Sequence, residues 1–324
     1  MASFEALMLL PGMPEIAERL ERRVKLHKLW EATNREATLA KVAPNIGAVV
    51  STWATARVDA ELMGRLPKLE IVASFGVGYD HIDAAWAGQH GIVVTHTPGV
   101  LDEDVADIAI ALTLAATRRL PQAERHLREG RWPSGAFPLT ASLHGRVMGI
   151  LGLGRIGKAI ARRAEAFGLS IAYHGRHKQD GVAYPYYPTP LALAEACDIL
   201  MVAAPGGPET RHVVDARVLA ALGPDGVLVN IARGSLVDEA ALIAALSDGV
   251  ILAAGLDVYE REPSVPAGLI ALDNAVLLPH VGSATRHTRM AMANLVVDNL
   301  LSWVDGKGPL TPTPETPWRR SAAP

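Results

Sequence analysis

Residues 147–160 read VMGILGLGRIGKAI, and this stretch decides the fold of the chain. Its first five residues predict a short buried strand, and the residues from 155 onward predict a helix. Gly152, Gly154 and Gly157 separate the two with the spacing G-x-G-x-x-G. In a dinucleotide-binding turn these glycines permit the sharp turn, let the backbone approach a pyrophosphate, and let the helix pack against the strand. The free N–H groups of the helix start suit phosphates, so we predict a dinucleotide site; the alternative is a glycine-rich turn without a ligand.

The segment after the next predicted strand bears on which dinucleotide binds. An acidic residue there would hold the ribose 2′-hydroxyl of NAD, but residues 174–178 read HGRHK. Arg176, together with the nearby His174, can instead bind a 2′-phosphate through charged donors. We therefore predict that NADP(H) is preferred and that NAD(H) remains possible; the alternative is an ordinary basic surface turn.

Composition limits the class of protein. The chain has 324 residues, room for two domains, and is 49% hydrophobic but only 5% aromatic, which suits α/β layers. A net charge of −3 gives no electrostatic reason to expect nucleic acid or an anionic membrane as a partner. The single Cys197 lies in an apolar run, so we expect it to be packed and inert. We see neither a signal peptide nor a membrane-length apolar run, and we expect a cytoplasmic protein.

Predicted strands and helices alternate along most of the chain. Strands are expected at 6–10, 48–51, 70–74, 92–95, 147–151, 169–173, 199–202, 226–230, 252–256 and 275–278. The clearest helical patterns cover 14–30, 103–120 and 285–304. This alternation predicts an α/β protein with two doubly wound, parallel-sheet domains. The last 16 residues, 309–324, contain five prolines and are expected to be extended or loose.

Three kinds of reactive side chain follow predicted strands in the second half. Arg233 follows one strand, Asp257 and Glu262 follow the next, and His280 follows the last. Parallel strands end at one edge of a sheet, so an acid/base site for an anionic substrate is predicted there. A carboxylate behind the histidine would fix its tautomer, and Glu260 competes with Glu262 for that role. Taken singly, these residues could be a surface arginine, a solvated turn and a structural histidine.

The chain resembles the D-isomer-specific 2-hydroxyacid dehydrogenases, and within them the NADPH-preferring glyoxylate/hydroxypyruvate reductase branch. The likeness covers nearly the whole chain. It is carried by FGVGYDHID at 75–83, GLGRIG at 152–157, PGGPETRH at 205–212, NIARGSLVDE at 230–239, GLDVY at 255–259, Glu262-Pro263 and PHVGSAT at 279–285. It implies a flavodoxin-like substrate domain at 1–98 plus 285–324 and a Rossmann dinucleotide-binding domain at 99–284.

The resemblance also implies roles for individual residues. Arg233 would bind the substrate carboxylate and keto oxygen, Glu262 rather than Glu260 would support His280, and His280 would protonate the keto oxygen. Backbone amides of Val77 and Gly78 would help to hold the carboxylate. The implied cofactor contacts, beyond the glycines and the basic turn, are Arg155, Ile156, Pro205, Thr210, Ile231, Ala232, Arg233, Asp257, His280 and Gly282. No metal site is expected.

A homodimer through the nucleotide domain is implied as well. Trp53 could border the substrate pocket, and Trp132 could reach a neighbouring subunit or simply pack at an interface. Two other functions stay open: reduction of larger 2-keto acids such as phenylpyruvates, and a non-enzymatic dinucleotide-sensing binding protein.

Overall fold

The computed structural model describes residues 4–52 and 56–318. Its strands are β1 (Glu5–Met8), β2 (Lys25–Lys28), β3 (Ile46–Ser51), β4 (Ile71–Ser74), β5 (Val93–Thr95), β6 (Val147–Leu151), β7 (Ser170–His174), β8 (Ile199–Val202), β9 (Val227–Asn230), β10 (Ala253–Leu256) and β11 (Ala275–Leu277). Its α-helices are α1 (Pro14–Glu21), α2 (Arg35–Val42), α3 (Ala60–Gly64), α4 (Ala84–Gln89), α5 (Asp102–Thr117), α6 (Leu120–Arg128), α7 (Arg155–Ala166), α8 (Pro190–Glu195), α9 (Ala216–Leu222), α10 (Glu239–Ser247), α11 (Ala267–Ile270) and α12 (Arg286–Val304). Short 3₁₀ turns lie at Leu29–Glu31, Ala43–Asn45, Trp132–Ser134, Pro208–Thr210 and Gly234–Leu236.

The chain divides into two compact units. Unit 1 comprises Met1–Leu101 and Thr285–Pro324, and unit 2 comprises Asp102–Ala284. The chain passes from unit 1 to unit 2 between Leu101 and the start of α5 at Asp102, and it returns between Ala284 and Thr285. The domain boundaries at 98 and 284 stay a prediction.

Unit 1 contains a parallel sheet in the order β2-β1-β3-β4-β5. Alternate side chains of a strand point to opposite faces, and both faces of this sheet are covered. Ala6 and Met8 of β1 belong to a core that includes Ile16 of α1 and Val297 of α12. Leu7 lies in a second core, together with residues of α2, α3 and α4. This arrangement confirms the doubly wound prediction for the first part of the chain.

Unit 2 contains a parallel sheet in the order β11-β10-β9-β8-β6-β7. In this order β7 lies on one side of β6, whereas β8 to β11 follow on the other side. The direction in which the chain adds strands therefore reverses between β6 and β8. One face packs on α8, α9 and α10, with Leu200 and Leu228 in that core; on the other, Gly255 of β10 lies against Leu112 of α5. Ligands of such sheets bind beyond the carboxyl ends of the strands at the reversal point.

Two predicted helices are wrong in extent. The helix expected over 14–30 ends at Glu21, and Lys25–Lys28 form the edge strand β2 beside β1. The helix expected over 103–120 ends at Thr117, because Arg119 adopts a left-handed conformation at φ 51°. A second helix, α6, begins there with a proline in its first turn, where a missing N–H costs nothing.

The proline-rich tail, as far as the structure describes it, has no regular helix or strand and includes a turn in which the Thr316 amide donates to the Thr313 carbonyl over 3.1 Å. The Thr313 amide donates to the Val94 carbonyl over 2.8 Å, and the Val94 amide donates to Thr316 Oγ1 over 2.9 Å. Both threonine side chains are buried. The tail therefore satisfies backbone groups of β5, which would otherwise be an open sheet edge.

Candidate active site

The glycine turn after β6 lies at the reversal point of the unit 2 sheet. Gly152 has φ +101°, and a Cβ on it would lie 2.5 Å from the Ala204 nitrogen, beyond the end of β8. A Cβ on Gly157 would lie 2.3 Å from the Gly152 oxygen. A Cβ on Gly154, by contrast, would meet open space, with nothing beyond its own turn within 4 Å in the described part of the chain. The first and third glycines are thus required by packing, while the second borders space that a pyrophosphate can enter.

The start of α7 and the end of β7 flank this turn. The N-cap residue of α7 is Gly154, which has no side chain to cap the helix, and the first helical residue, Arg155, is exposed and paired with Asp102 over 3.1 Å. His174 at the end of β7 donates from Nδ1 to the Tyr187 carbonyl over 2.8 Å. Arg176, two residues further on, is exposed, and within 4–52 and 56–318 its guanidinium has no hydrogen bond or ion pair. An arginine in this position suits a 2′-phosphate.

Further predicted cofactor contacts lie in the segments that follow β6, β8 and β9. Ile156 is half-buried in the first turn of α7. After β8, Thr210 donates from Oγ1 to the Pro205 carbonyl over 2.9 Å and so closes that loop. After β9, Ile231 is buried and Ala232 is half-buried. All these loops leave the carboxyl edge of the sheet, where a dinucleotide would lie.

The turn after β9 holds Arg233 in place. Asn230 is buried. Its side-chain NH₂ group donates to the Arg233 carbonyl over 2.9 Å, and its side-chain oxygen accepts from the Ala232 backbone amide over 3.0 Å. A Cβ on the next residue, Gly234, would lie 1.8 Å from the carbonyl carbon of Tyr259. The loop after β9 therefore rests directly on the loop after β10, which carries Glu262.

Glu262 and His280 form a hydrogen-bonded pair. His280 Nδ1 lies 2.6 Å from one Glu262 carboxylate oxygen, and the Tyr259 amide donates to the other over 3.0 Å. Burial acts to raise the pKa of Glu262, but the bond from His280, the Tyr259 amide and the Arg233 charge outweigh it, so this pKa lies below its ordinary value. An ionised Glu262 fixes the proton on Nδ1 and stabilises the charged imidazole ring.

Asp257 builds the turn that carries His280. It is buried, and its two carboxylate oxygens accept from the amides of Val281 (2.7 Å) and Gly282 (2.8 Å). Its carbonyl accepts from the His280 amide over 2.9 Å, and His280 adopts φ +52°. Burial raises the pKa of Asp257. The carboxylate thus holds the backbone of the His280 turn, whereas its predicted contact with the cofactor stays a prediction.

Glu260, the rival of Glu262, has other partners. It pairs with His212 and, over 3.3 Å, with Arg211. The buried carboxylate of Glu239 accepts from the Glu260 amide over 2.7 Å, and burial raises the pKa of Glu239. Glu239 was not expected to support this loop, because its place directly after Asp238 in the sequence gives no sign of a partner 21 residues away.

Tyr259 is a second support of the site that was not expected from the sequence. Its ring is buried, and its hydroxyl donates to the Leu278 carbonyl over 2.9 Å, two residues before His280. Burial, with the neighbouring carboxylates, raises the pKa of Tyr259 to about 12. The hydroxyl therefore remains a donor throughout the neutral range and ties the loop of Glu262 to the strand end of His280.

The predicted carboxylate-binding loop lies in unit 1, directly after β4. The amides of Val77 and Gly78 donate to no acceptor within the part of the chain that the structure describes. The Val77 carbonyl accepts from His96 Nδ1 over 2.9 Å. Trp53 lies outside the described residues. Trp132, in unit 2, is 65% exposed.

Residues 4–52 and 56–318 also bear on metal and membrane binding. They contain no group of three or more His, Cys, Asp or Glu side chains suited to a metal ion. They also contain no helix with the length and apolar character needed to cross a membrane.

The two α/β units and the glycine turn define the class of dinucleotide-dependent oxidoreductases. The sequence profile of the "D-isomer specific 2-hydroxyacid dehydrogenase, NAD binding domain" matches residues 110–282. The chain therefore belongs to the D-isomer specific 2-hydroxyacid dehydrogenase family, as its sequence motifs predicted.

Individual relatives support the same assignment. A glyoxylate/hydroxypyruvate reductase A of Arabidopsis thaliana is 50% identical, over 96% of this chain and 99% of its own length. A hydroxyphenylpyruvate reductase of Plectranthus scutellarioides is 48% identical with the same coverage. The crystal structure of an NADPH-dependent glyoxylate/hydroxypyruvate reductase of Sinorhizobium meliloti, in complex with NADP and malonate, is 49% identical, with a TM-score of 0.90 over 99% of this chain and all of that one.

Proposed function

We propose that this protein is an NADPH-dependent reductase of small 2-keto acids, converting glyoxylate to glycolate and hydroxypyruvate to D-glycerate. The observation that carries the proposal is the 2.6 Å bond between His280 and Glu262, on a loop that packs against the turn of Arg233. An acid, its carboxylate support and an arginine suit the protonation of a keto oxygen in an anionic substrate. The relatives named glyoxylate/hydroxypyruvate reductase support the substrate class.

In this proposal each residue has one task. Arg233 binds the substrate carboxylate and keto oxygen, and His280 donates a proton from Nε2 to that oxygen while Glu262 holds Nδ1. NADPH, when bound, supplies the hydride that reduces the keto carbon. Both Arg233 and protonated His280 direct positive charge at the developing oxyanion, which stabilises the transition state more than the ground state. The amides of Val77 and Gly78 donate to the substrate carboxylate.

Unit 2 is proposed as the dinucleotide-binding domain and unit 1 as the substrate domain. The open space at Gly154 and the uncapped start of α7 suit the pyrophosphate, and the exposed Arg176 suits a 2′-phosphate, with His174 beside it. Asp257 and the 231–233 segment are proposed to border the nicotinamide. NAD(H) is proposed as a second, weaker cofactor, because no acidic residue in the 174–178 segment holds the ribose 2′-hydroxyl of NAD.

Larger 2-keto acids form a second candidate substrate class. The observation that favours them is the 48% identity to a hydroxyphenylpyruvate reductase over nearly the whole chain. The same acid, arginine and carboxylate support would serve that reaction, so only the walls of the substrate pocket would differ.

A homodimer in the cytoplasm is proposed as the working form. Within residues 120–139 of unit 2, four large apolar side chains are exposed by about half or more, which suits burial against a second copy. They are Leu120, Leu127, Trp132 and Leu139. Sedimentation of the purified protein at micromolar concentration tests this assembly, and a monomer would refute it.

The function is tested by following the loss of near-ultraviolet absorbance of NADPH or NADH with glyoxylate, hydroxypyruvate or phenylpyruvate. We expect faster oxidation of NADPH, with one of the two small keto acids. His280→Ala should lower kcat by about 100-fold or more, the size of a general-acid contribution, while the variant still binds NADPH. Absence of turnover with every pair, despite measurable NADPH binding, would refute the reductase; equal turnover by the variant would remove His280 from the mechanism.

A further inference from the structure

The loop that carries Val77 and Gly78 is held from one side by a pair of aromatic side chains. His96 donates from Nδ1 to the Val77 carbonyl over 2.9 Å. The ring of Tyr79 meets the His96 ring edge to face, with 5.3 Å between centroids and 84° between planes. Together these contacts fix the backbone on both sides of Gly78.

Both aromatic residues are in turn held by residues 310–316, which we call the C-terminal clamp. The Tyr79 hydroxyl donates to the Glu315 carboxylate over 3.0 Å. The His96 amide donates to the Thr311 carbonyl over 3.2 Å, and Thr311 Oγ1 donates to the His96 carbonyl over 2.6 Å. His96 is therefore anchored through its backbone as well as its ring.

The clamp itself is fixed by the buried Asn299 of α12. Its side-chain carbonyl accepts from the amides of Leu310 and Thr311 over 2.9 Å each, and its amide donates to Thr311 Oγ1 over 2.9 Å. A polar side chain with all these groups satisfied holds one geometry. An unbroken chain of contacts thus runs from Asn299 through the clamp to the loop at 76–79.

We propose that His96 and Tyr79 are positioning residues that set the affinity for the keto acid. They do so by holding the Val77 and Gly78 amides, and the C-terminal clamp holds them. The inference rests on the proposed function, in which those two amides donate to the substrate carboxylate. A loop that must be ordered by the substrate itself would consume part of the binding energy. A loop already held by His96 and Tyr79 would not.

Kinetics of three variants test the proposal. A hydrogen bond contributes about 0.5–1.5 kcal/mol, which corresponds to a change of about 2- to 10-fold in affinity. His96→Ala should raise KM for the keto acid by about 10-fold and Tyr79→Phe by about 3-fold, with kcat within about twofold and the Kd of NADPH unchanged. His96→Asn, whose amide can replace Nδ1 as donor, should restore KM to within about threefold.

The matched control is His90→Ala. His90 also lies in unit 1 and also pairs through Nδ1 with a backbone carbonyl, that of Trp86 over 2.8 Å, but it is exposed at the C-terminal end of α4, as its C-cap residue. This variant should leave KM unchanged. A fall in kcat without a rise in KM for His96→Ala, or an equal rise for His90→Ala, would overturn the positioning role.

Hydrogen exchange separates failure of this inference from failure of the proposed function. The Thr97 amide donates to the Gly76 carbonyl and the Ile82 amide to the Tyr79 carbonyl, both over 2.8 Å, so their exchange reports opening of the loop. Both should exchange faster in His96→Ala and Tyr79→Phe but not in His90→Ala; unchanged rates would overturn the inference. A wild type without keto-acid turnover would refute the reductase instead, and the exchange rates would still decide whether His96 and Tyr79 hold the loop.

Discussion

Replacing Glu262 by glutamine removes one charge and one acceptor with almost no change in shape. In the native pair one carboxylate oxygen accepts from the Tyr259 amide and the other accepts from His280 Nδ1. A glutamine offers only one oxygen, so one of these donors would face an NH₂ group. The substitution therefore breaks either the support of His280 or that of the loop.

The size of the effect follows from the bond that is lost. A hydrogen bond to a charged group contributes about 1.5–3 kcal/mol. The bond from Glu262 stabilises the protonated His280 during proton transfer, so its loss in Glu262→Gln should lower kcat by about 10- to 150-fold. NADPH affinity should stay within about twofold, because Glu262 supports the acid and is not proposed to contact the cofactor.

The assay is steady-state NADPH oxidation with the better of the two small keto acids, with NADPH binding measured separately by fluorescence. Glu260→Gln is the matched control, because Glu260 lies two residues away and pairs with His212 and Arg211 instead. It should change kcat by less than about threefold. A Glu262→Gln enzyme with wild-type kcat, or an equal loss in both variants, would refute the assignment of Glu262.

Two other groups lead to simple measurements. Arg176→Ala should weaken NADPH binding by about 10- to 100-fold through the loss of charged hydrogen bonds and leave the affinity for NADH within about twofold. Arg217→Ala, which removes an exposed ion pair with Asp215, is the control. Equal losses of affinity for both cofactors in Arg176→Ala would argue against a 2′-phosphate contact. Burial raises the pKa of the Cys197 thiol to about 12 from 9.0, so the native protein should resist a thiol reagent at mildly alkaline pH and react fully once unfolded. Because the unfolded thiol releases its proton first, stability should fall as the pH rises above about 9; native labelling as fast as in the unfolded chain would contradict the burial argument.

The features that the sequence predicted well depend on short spacings. The glycine turn combines a strand, three glycines and a helix within 14 residues, and each glycine meets the packing expected of it. Arg233, Glu262 and His280 were expected at one sheet edge because each follows a strand, and the strand order places them on neighbouring loops. The choice of Glu262 over Glu260 as the partner of His280 needed the family resemblance. Spacing alone does not show that the Glu260 carboxylate pairs with His212 and Arg211 instead.

The features that were missed depend on distant partners. Ile16, Leu20 and Val24 are all buried, so the chain carries a helical pattern even though α1 ends before Val24. Residues 25–28 form β2 because they pair with β1 along its free edge. The hydrophobic pattern of the local sequence does not indicate this pairing. Likewise, Thr313 and Thr316 are typical polar residues of a chain terminus in the sequence. Their hydrogen bonds to Val94 of β5 depend on a partner more than 200 residues away.

The return of the chain to unit 1 after residue 284 fixes an order of events during synthesis. Unit 2 is continuous in sequence, so all its strands and helices are present once residue 284 has been made. Unit 1 begins first but ends last, because Ala293, Val296, Val297 and Leu300 of α12 complete one of its two cores. Domains generally fold as units, so on the ribosome the second unit can mature while the first still exposes one apolar face of its sheet. The unit that starts the chain is therefore the last to complete its core, because α12, which covers one face of its sheet, is made after the whole of unit 2.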